Sequence, residues 1–202
     1  MRREAAIVAR EGGQAAIGIG QLERSLADAT GIVSFGICGG LDPALKPGAL
    51  IIATEVIIEG GPPLRCDPAW TERLVDALPG ALAAAIFGGD GIVATAAEKT
   101  FLHRLTGAAS VDAESGPAAR LAHARGLPFA VVRAVCDGAA QNLPPAALVG
   151  LTPEGREDFG AVLQAVAARP GQLRALIRLA GQAAAALRAL SECGGRVVAL
   201  TR

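Results

Sequence analysis

Four short segments of the sequence join glycines or carboxylates to apolar runs, and these are where chemistry could be done. They are Gly18-Ile19-Gly20, Gly36-Ile37-Cys38-Gly39-Gly40, Val111-Asp112-Ala113-Glu114 and Arg133-Ala134-Val135-Cys136-Asp137. Glycine lets a backbone turn sharply and come close to a ligand, so the exposed amides of Gly36–Gly40 could hold a flat base or an anion. A tight turn before Leu41-Asp42-Pro43 explains the same glycines without a ligand. Asp112 and Glu114 share a face if their strand continues through them; if it stops, they sit where a helix begins, a favourable place for carboxylates. Asp137 ends an almost wholly apolar strand, as a helix cap, a turn residue or a reacting group. Burial raises the proton affinity of a carboxyl group, the property a general acid needs near neutral pH.

Other chemistries lack their residues. The third glycine of a dinucleotide fingerprint is missing after Gly20, with Glu23 in its place, and no G-K-[ST] follows any glycine-rich turn. His103 and His123 fall on predicted helices with no ligand partner at i+4, which excludes a simple helical zinc pair. Ser34, Ser110 and Ser115 lack the G-x-S-x-G turn of a nucleophile elbow.

The elements that must carry these segments alternate, as in an α/β protein with a sheet covered by helices on both faces. Strands are predicted at Ala15–Gly18, Ile32–Ile37, Leu50–Ile58, Ala84–Phe87, Ser110–Asp112 and Phe129–Val135, several of them continuous apolar runs that suit burial on both sides. Helices are predicted at Gln21–Ala29, Pro68–Leu78, Ala96–Leu105, Glu114–Arg125, Pro153–Ala168 and Gly171–Leu190. The last places Leu173, Leu176, Ile177, Ala180, Ala184 and Leu187 on one stripe, expected to dock on the sheet. In such sheets ligands gather at strand ends, where loops converge on a rigid frame.

Composition narrows the partners. The 202 residues suit one domain, 1–202, since domains usually run to roughly 100–200 residues. Hydrophobic residues make up 51% and charged ones 19%, which argues for a folded core. Basic and acidic residues balance at 19 each, leaving no electrostatic footprint for nucleic acid or an acidic membrane. The mean hydropathy of +0.41 is inflated by Ala and Gly. Apolar runs such as 49–58 are broken by Thr54 and Glu55, so no transmembrane segment is expected. The start, Met1-Arg2-Arg3-Glu4, leaves too short an apolar stretch for a secretory signal, and a cytoplasmic location is expected. Cys38, Cys66, Cys136 and Cys193 have no C-x-x-C spacing and read as reduced, buried thiols.

Taken in order, the four segments together with Gly89-Asp90-Gly91-Ile92-Val93 resemble the purine nucleoside phosphorylase and nucleosidase superfamily, especially the methylthioadenosine/S-adenosylhomocysteine nucleosidases. Ser34-Phe35-Gly36 through Leu41-Asp42-Pro43-Ala44-Leu45-Lys46-Pro47-Gly48, with Asp112-Ala113-Glu114-Ser115, looks most like the bacterial hopanoid-associated phosphorylases. The resemblance implies a three-layer sandwich with a mixed central sheet. It implies cleavage of the purine N-ribosyl bond of an adenine nucleoside, with adenosylhopane, a hopanoid lipid nucleoside, as the finer substrate. No metal and no organic cofactor is implied, phosphate being a potential co-substrate. By resemblance Asp137 protonates N7 of the leaving base and Glu114 holds the ribose hydroxyls beside Ala113 and Asp112. Glu4 activates water, with Glu11 as the fallback. Cys38, Gly39, Ile92, Val93 and Cys136 line the base pocket.

The departures bear on the chemistry. Ser34 and Ile37 stand where phosphorylases often have Arg and Ser, which weakens a phosphate site and leaves hydrolysis and phosphorolysis both open. Ile92 replaces a common Phe, Cys136 a Ser and Ala113 a Met. The apolar strand and glycine that family members carry before the segment matching Arg3-Glu4-Ala5 are missing, so either the start is truncated or Ala5–Ala9 takes over that strand. A homodimer is implied by the superfamily. The competing readings are a methylthioadenosine/S-adenosylhomocysteine nucleosidase and a catalytically silent nucleoside-binding protein.

Overall fold

The computed structural model describes residues 19–24, 29–149, 164, 165 and 167–201. Glu4, Glu11 and the predicted strand Ala15–Gly18 lie outside them, as does most of the predicted helix Pro153–Ala168. A short helix α1 (Ile19–Arg24) precedes β1 (Ile32–Gly40), β2 (Leu50–Ile57), β3 (Leu64–Arg65), α2 (Pro68–Ala77) and β4 (Leu82–Gly88). Then come α3 (Ala96–Thr106), β5 (Ser110–Asp112), α4 (Ser115–Arg125), β6 (Phe129–Asp137), α5 (Pro145–Val149) and α6 (Leu173–Leu200).

Local signals set the helix ends. Asp67 caps α2 by accepting from Trp70 N at 2.9 Å, with Pro68 in the first turn, where its missing N–H costs nothing. Thr95 and Glu98 form a capping box at the start of α3, and Gly107, at φ 71°, closes it in the left-handed conformation.

The sheet is mixed, in the order β3-β2-β4-β5-β1-β6, and β2 also pairs with β6. That extra pairing curls the sheet back on itself. β2 lends Leu50–Ile52 to β6 and, past a register shift between Ala53 and Val56, lends Glu55–Val56 to β3. β6 is buried at every residue, Arg133 included, as its almost wholly apolar run predicts, and it continues through Asp137.

Helices cover both faces. The small residues Ala118, Ala119 and Ala122 of α4 pack on Ile32, Val56, Ile86 and Val131. On the other face Trp70 and Leu74 of α2 and Cys193 and Val197 of α6 pack on Ile52, Ala130 and Val132.

α6 docks on the sheet, but through a different stripe from the one the sequence suggests. Ala186, Leu190, Cys193 and Val197 are buried, with Leu179 and Ala183 packed beside them, whereas Leu173 is 50% exposed and Ile177 65%. The helix gathers Arg174, Arg178, Arg188, Glu192 and Arg196 on one stripe, and apolar residues, many of them alanine, cover the wide remainder, so its periodicity supports two docking faces. Which one docks is decided by the surface of β6.

Candidate active site

The strand ends meet around the last residues of β1. Gly39 is registered with Val111 of antiparallel β5 on one side and with Asp137 of parallel β6 on the other. A register shift between Cys38 and Gly39 brings Asp137 level with the glycine. A Cβ at Gly39 would lie 3.6 Å and 3.7 Å from the two carboxylate oxygens of Asp137. With glycine there, residue 39 puts no side chain against the carboxylate's flank, and Val111 Cγ1 is the nearest other atom, 3.4 Å from that Cβ position. Cys38 is buried, and that burial pushes its thiol up to about 12, so it stays protonated and unreactive at neutral pH.

β5 stops at Asp112, and Glu114 stands at the position preceding the first turn of α4. The two carboxylates therefore do not share a strand face. Asp112 accepts from the backbone N–H groups of Glu114 at 2.9 Å and Ser115 at 2.6 Å, and from Ser115 Oγ at 2.7 Å. It is a side-chain anchor for the helix start, buried and turned inward.

The counter-charge is Arg133, 2% exposed, on β6. Its Nε donates to Asp112 Oδ2 at 3.0 Å, and Nη2 lies 3.1 Å from Asp112 Oδ1, 2.7 Å from Ser34 Oγ and 3.0 Å from Ser115 Oγ. β1 runs between β5 and β6, so the guanidinium must cross it. It does so where the ladder pairs Arg133 with Gly36, beside the small Ser34. Nη2 also lies 3.6 Å from Glu114 Oε2, whose side chain is 44% exposed. Burial opposes the charge on Arg133, but Asp112 and then Glu114 outweigh it, and the guanidinium is held protonated even more firmly than usual. A buried cation thus fixes one carboxylate inside and steadies a second at the solvent edge.

Asp137, 6% exposed, pairs with a residue that sequence reasoning missed. Lys99 of α3 is completely buried, and its ammonium forms an ion pair with Asp137 Oδ2. It also donates to the carbonyls of Gly138 at 3.1 Å and Gln141 at 3.0 Å. The available signal was compositional: Lys46 and Lys99 are the only lysines among 19 basic residues, and Lys99 follows the capping glutamate of α3.

The remaining candidates are placed as follows. Val93 packs with Leu41, Phe87, Ala108 and Val111 at the ends of β1, β4 and β5. Ile92 beside it is 51% exposed. Ala113 is half-buried in the turn between Asp112 and Glu114. Cys136 alternates to the face opposite Asp137, against Ala134, Ala186 and Leu190, so its backbone rather than its thiol could face a ligand. His103 and His123 bond the carbonyls of Ala108 at 2.8 Å and Arg65 at 3.0 Å, both packing roles. Among the described residues no group of His, Cys, Asp and Glu could hold a metal ion, and no helix is long and apolar enough to cross a membrane.

The mixed sheet closes on itself between helices and carries carboxylates at or just beyond its strand ends. The profile of the Phosphorylase superfamily matches residues 13–179, and the chain belongs to that family. It is an enzyme of the nucleoside phosphorylase and nucleosidase type. No curated protein matches the sequence. Among solved structures, a 5′-methylthioadenosine/S-adenosylhomocysteine nucleosidase from Helicobacter pylori is similar at 16% identity, covering 95% of this chain and 93% of that one, with a TM-score of 0.61. The same kind of nucleosidase from Colwellia psychrerythraea, in complex with adenine, is 18% identical over 90% of this chain and 92% of that one, with a TM-score of 0.59. Futalosine hydrolase of Helicobacter pylori is 17% identical over 68% of this chain and 84% of that one, with a TM-score of 0.58. At these identities the likeness establishes the fold.

Proposed function

We propose that the protein cleaves the N-ribosyl bond of an adenine nucleoside and releases adenine by hydrolysis, with adenosylhopane as the finer substrate. The observation that carries this is the pair of cation-backed carboxylates, Glu114 with Arg133 and Asp137 with Lys99, at strand ends that meet around Gly39. Breaking the bond leaves an oxocarbenium-like sugar and a base that departs poorly as an anion. Glu114, the more exposed of the two, accepts from the ribose hydroxyls while Arg133 fixes its direction. Asp137 takes a proton from water on Oδ1 and passes it to N7 of the base as the electron pair of the C1′–N9 bond moves onto the purine. The side-chain-free flank of Gly39 and the edge around Ile92 and Val93 give the base its seat. Both buried cations already face carboxylates, which favours water over phosphate as the nucleophile. Glu4 is proposed to activate that water. The reading uses no metal or organic cofactor, and two copies of the chain are proposed to form the working dimer. The adenosylhopane assignment rests on the Ser34–Gly48 resemblance, and the nucleosidase relatives keep methylthioadenosine as the competing substrate.

The test is adenine release from 5′-methylthioadenosine, S-adenosylhomocysteine and adenosylhopane, each with and without phosphate. Release from adenosylhopane that ignores phosphate is the expected result. Release that requires phosphate overturns the choice of water, and no release from any of the three overturns the enzymatic reading in favour of a silent nucleoside binder. Asp137→Asn should remove most turnover while nucleoside binding persists.

A further inference from the structure

Lys99 contributes more than a counter-charge. Its ammonium carries three N–H donors, and three acceptors meet it: Asp137 Oδ2, Gly138 O at 3.1 Å and Gln141 O at 3.0 Å. Three acceptors within reach of one nitrogen suit an ammonium, which can turn a donor to each, whereas no single nitrogen of a guanidinium carries three N–H groups. Two of the three acceptors belong to the segment that follows the catalytic strand. That segment is tied back to the start of α3 by Leu143 N to Ala94 O at 2.7 Å and by Ala96 N to Asn142 Oδ1 at 2.7 Å. It is tied to α6 by the reciprocal amide bonds of Gln141 and Gln182, at 3.0 Å and 2.9 Å. Lys99 therefore stands on a rigid base.

The clamp acts on one oxygen. Lys99 holds Oδ2, while Oδ1 makes no hydrogen bond among the described residues. We propose that Lys99 is the positioning residue for protonation of the leaving base: it locks Asp137 through Oδ2 so that Oδ1 is kept for N7 of the purine. This rests on the proposed function of Asp137. The proton that Oδ1 gives to N7 comes from water, and Lys99 keeps its three N–H donors, and its three bonds, throughout. Its effect is transmitted wholly through Asp137, and that is what separates it from a residue that merely stabilises the fold.

The experiment is a double-mutant cycle on adenine release from the adenine nucleoside the wild type cleaves best, with Lys99→Met, Asp137→Asn and the double variant, each checked by thermal melting. Lys99→Met should lower kcat about 10- to 100-fold, a part of the ~10²–10⁴-fold that general acid catalysis supplies, with KM changed less than about threefold. In the Asp137→Asn background the same substitution should cost less than about twofold, because the carboxylate it positions is gone. If Lys99→Met does not fold, Lys99→Gln, a neutral amide that can still donate to the two carbonyls, takes its place in both arms of the cycle. A kcat of Lys99→Met within about twofold of wild type, or an equal loss in both backgrounds, overturns the proposal. Failure of the wild type to release adenine overturns the proposed function instead, and this inference with it.

Discussion

Replacing Asp112 with asparagine isolates the energetics of the buried network. The carboxylate is 7% exposed and accepts five hydrogen bonds, from two backbone amides, one hydroxyl and two guanidinium nitrogens. Asparagine has one oxygen, and its amide will replace Oδ2, because at Oδ1 it would face three donors from Glu114, Ser115 and Arg133. At Oδ2 the Ser115 hydroxyl can reverse and accept, but Arg133 Nε cannot. The result is a buried guanidinium whose nearest remaining carboxylate, Glu114, is 3.6 Å away and at the solvent edge. Breaking a buried pair in this way costs about 3–5 kcal/mol. Arg133→Met should cost less, about 1–3 kcal/mol, since Asp112 keeps two amides and a hydroxyl at the start of α4. Urea unfolding followed by circular dichroism, with the slope unchanged, measures both. The double variant should lose less than the sum, because each single change strands the other's partner. A larger cost for Arg133→Met than for Asp112→Asn, or strict additivity, would refute this account of where the charge is stabilised.

Further outcomes follow from other parts of the structure. A Cβ at Gly88 would come within 2.5 Å of Gly116 N and 2.8 Å of Val56 Cγ1. Gly88→Ala should therefore shift the first turn of α4, costing about 1–3 kcal/mol in urea unfolding; an unchanged midpoint would show that the contact is slack. Thr95→Ala removes the α3 capping box and should cost about 1 kcal/mol in the same assay, against no loss if the helix start is held elsewhere. Burial pushes the thiols of Cys38 and Cys66 up to about 12 and that of Cys193 to about 11 from an ordinary 9.0. Above pH 9 the unfolded chain therefore releases protons that the folded chain keeps. Stability is unpenalised below pH 9 and falls as pH rises, by about 1.4 kcal/mol per unit for each thiol up to its folded value. Thermal melts from pH 8 to 10.5 should show a falling Tm that falls less steeply in Cys66→Ala, where two raised thiols remain, and a flat profile in the wild type would contradict the burial.

Much of the fold was legible because strands in a sheet covered on both faces are largely apolar, here with no more than two polar residues in each run. Ile32–Ile37, Leu50–Ile58 and Phe129–Val135 announced β1, β2 and β6 in this way, and Ser110–Asp112 matched β5. That Asp112 and Asp137 stand near strand ends was likewise readable, but β1 runs on through Gly40 and β6 through Asp137, and the sequence leaves open whether Glu114 continues a strand or precedes a helix, where the structure places it before α4. The docking face of α6 was not, because alanine satisfies a buried or an exposed position equally and leaves its periodicity ambiguous. The curl of the sheet was not either, as the pairing of β2 with both β6 and β3 depends on a register shift that local sequence does not encode.

The sequence by itself determined which carboxylates could do chemistry and roughly where strands and helices lie around them. Only the tertiary structure decided which charges meet. Arg133 reaches Asp112 and Glu114 by crossing a strand at a glycine, and Lys99 reaches Asp137 from a helix 38 residues upstream. The physical reason is that a charge buried away from water must find its counter-charge in space, and nothing in the spacing of residues along the chain records that distance.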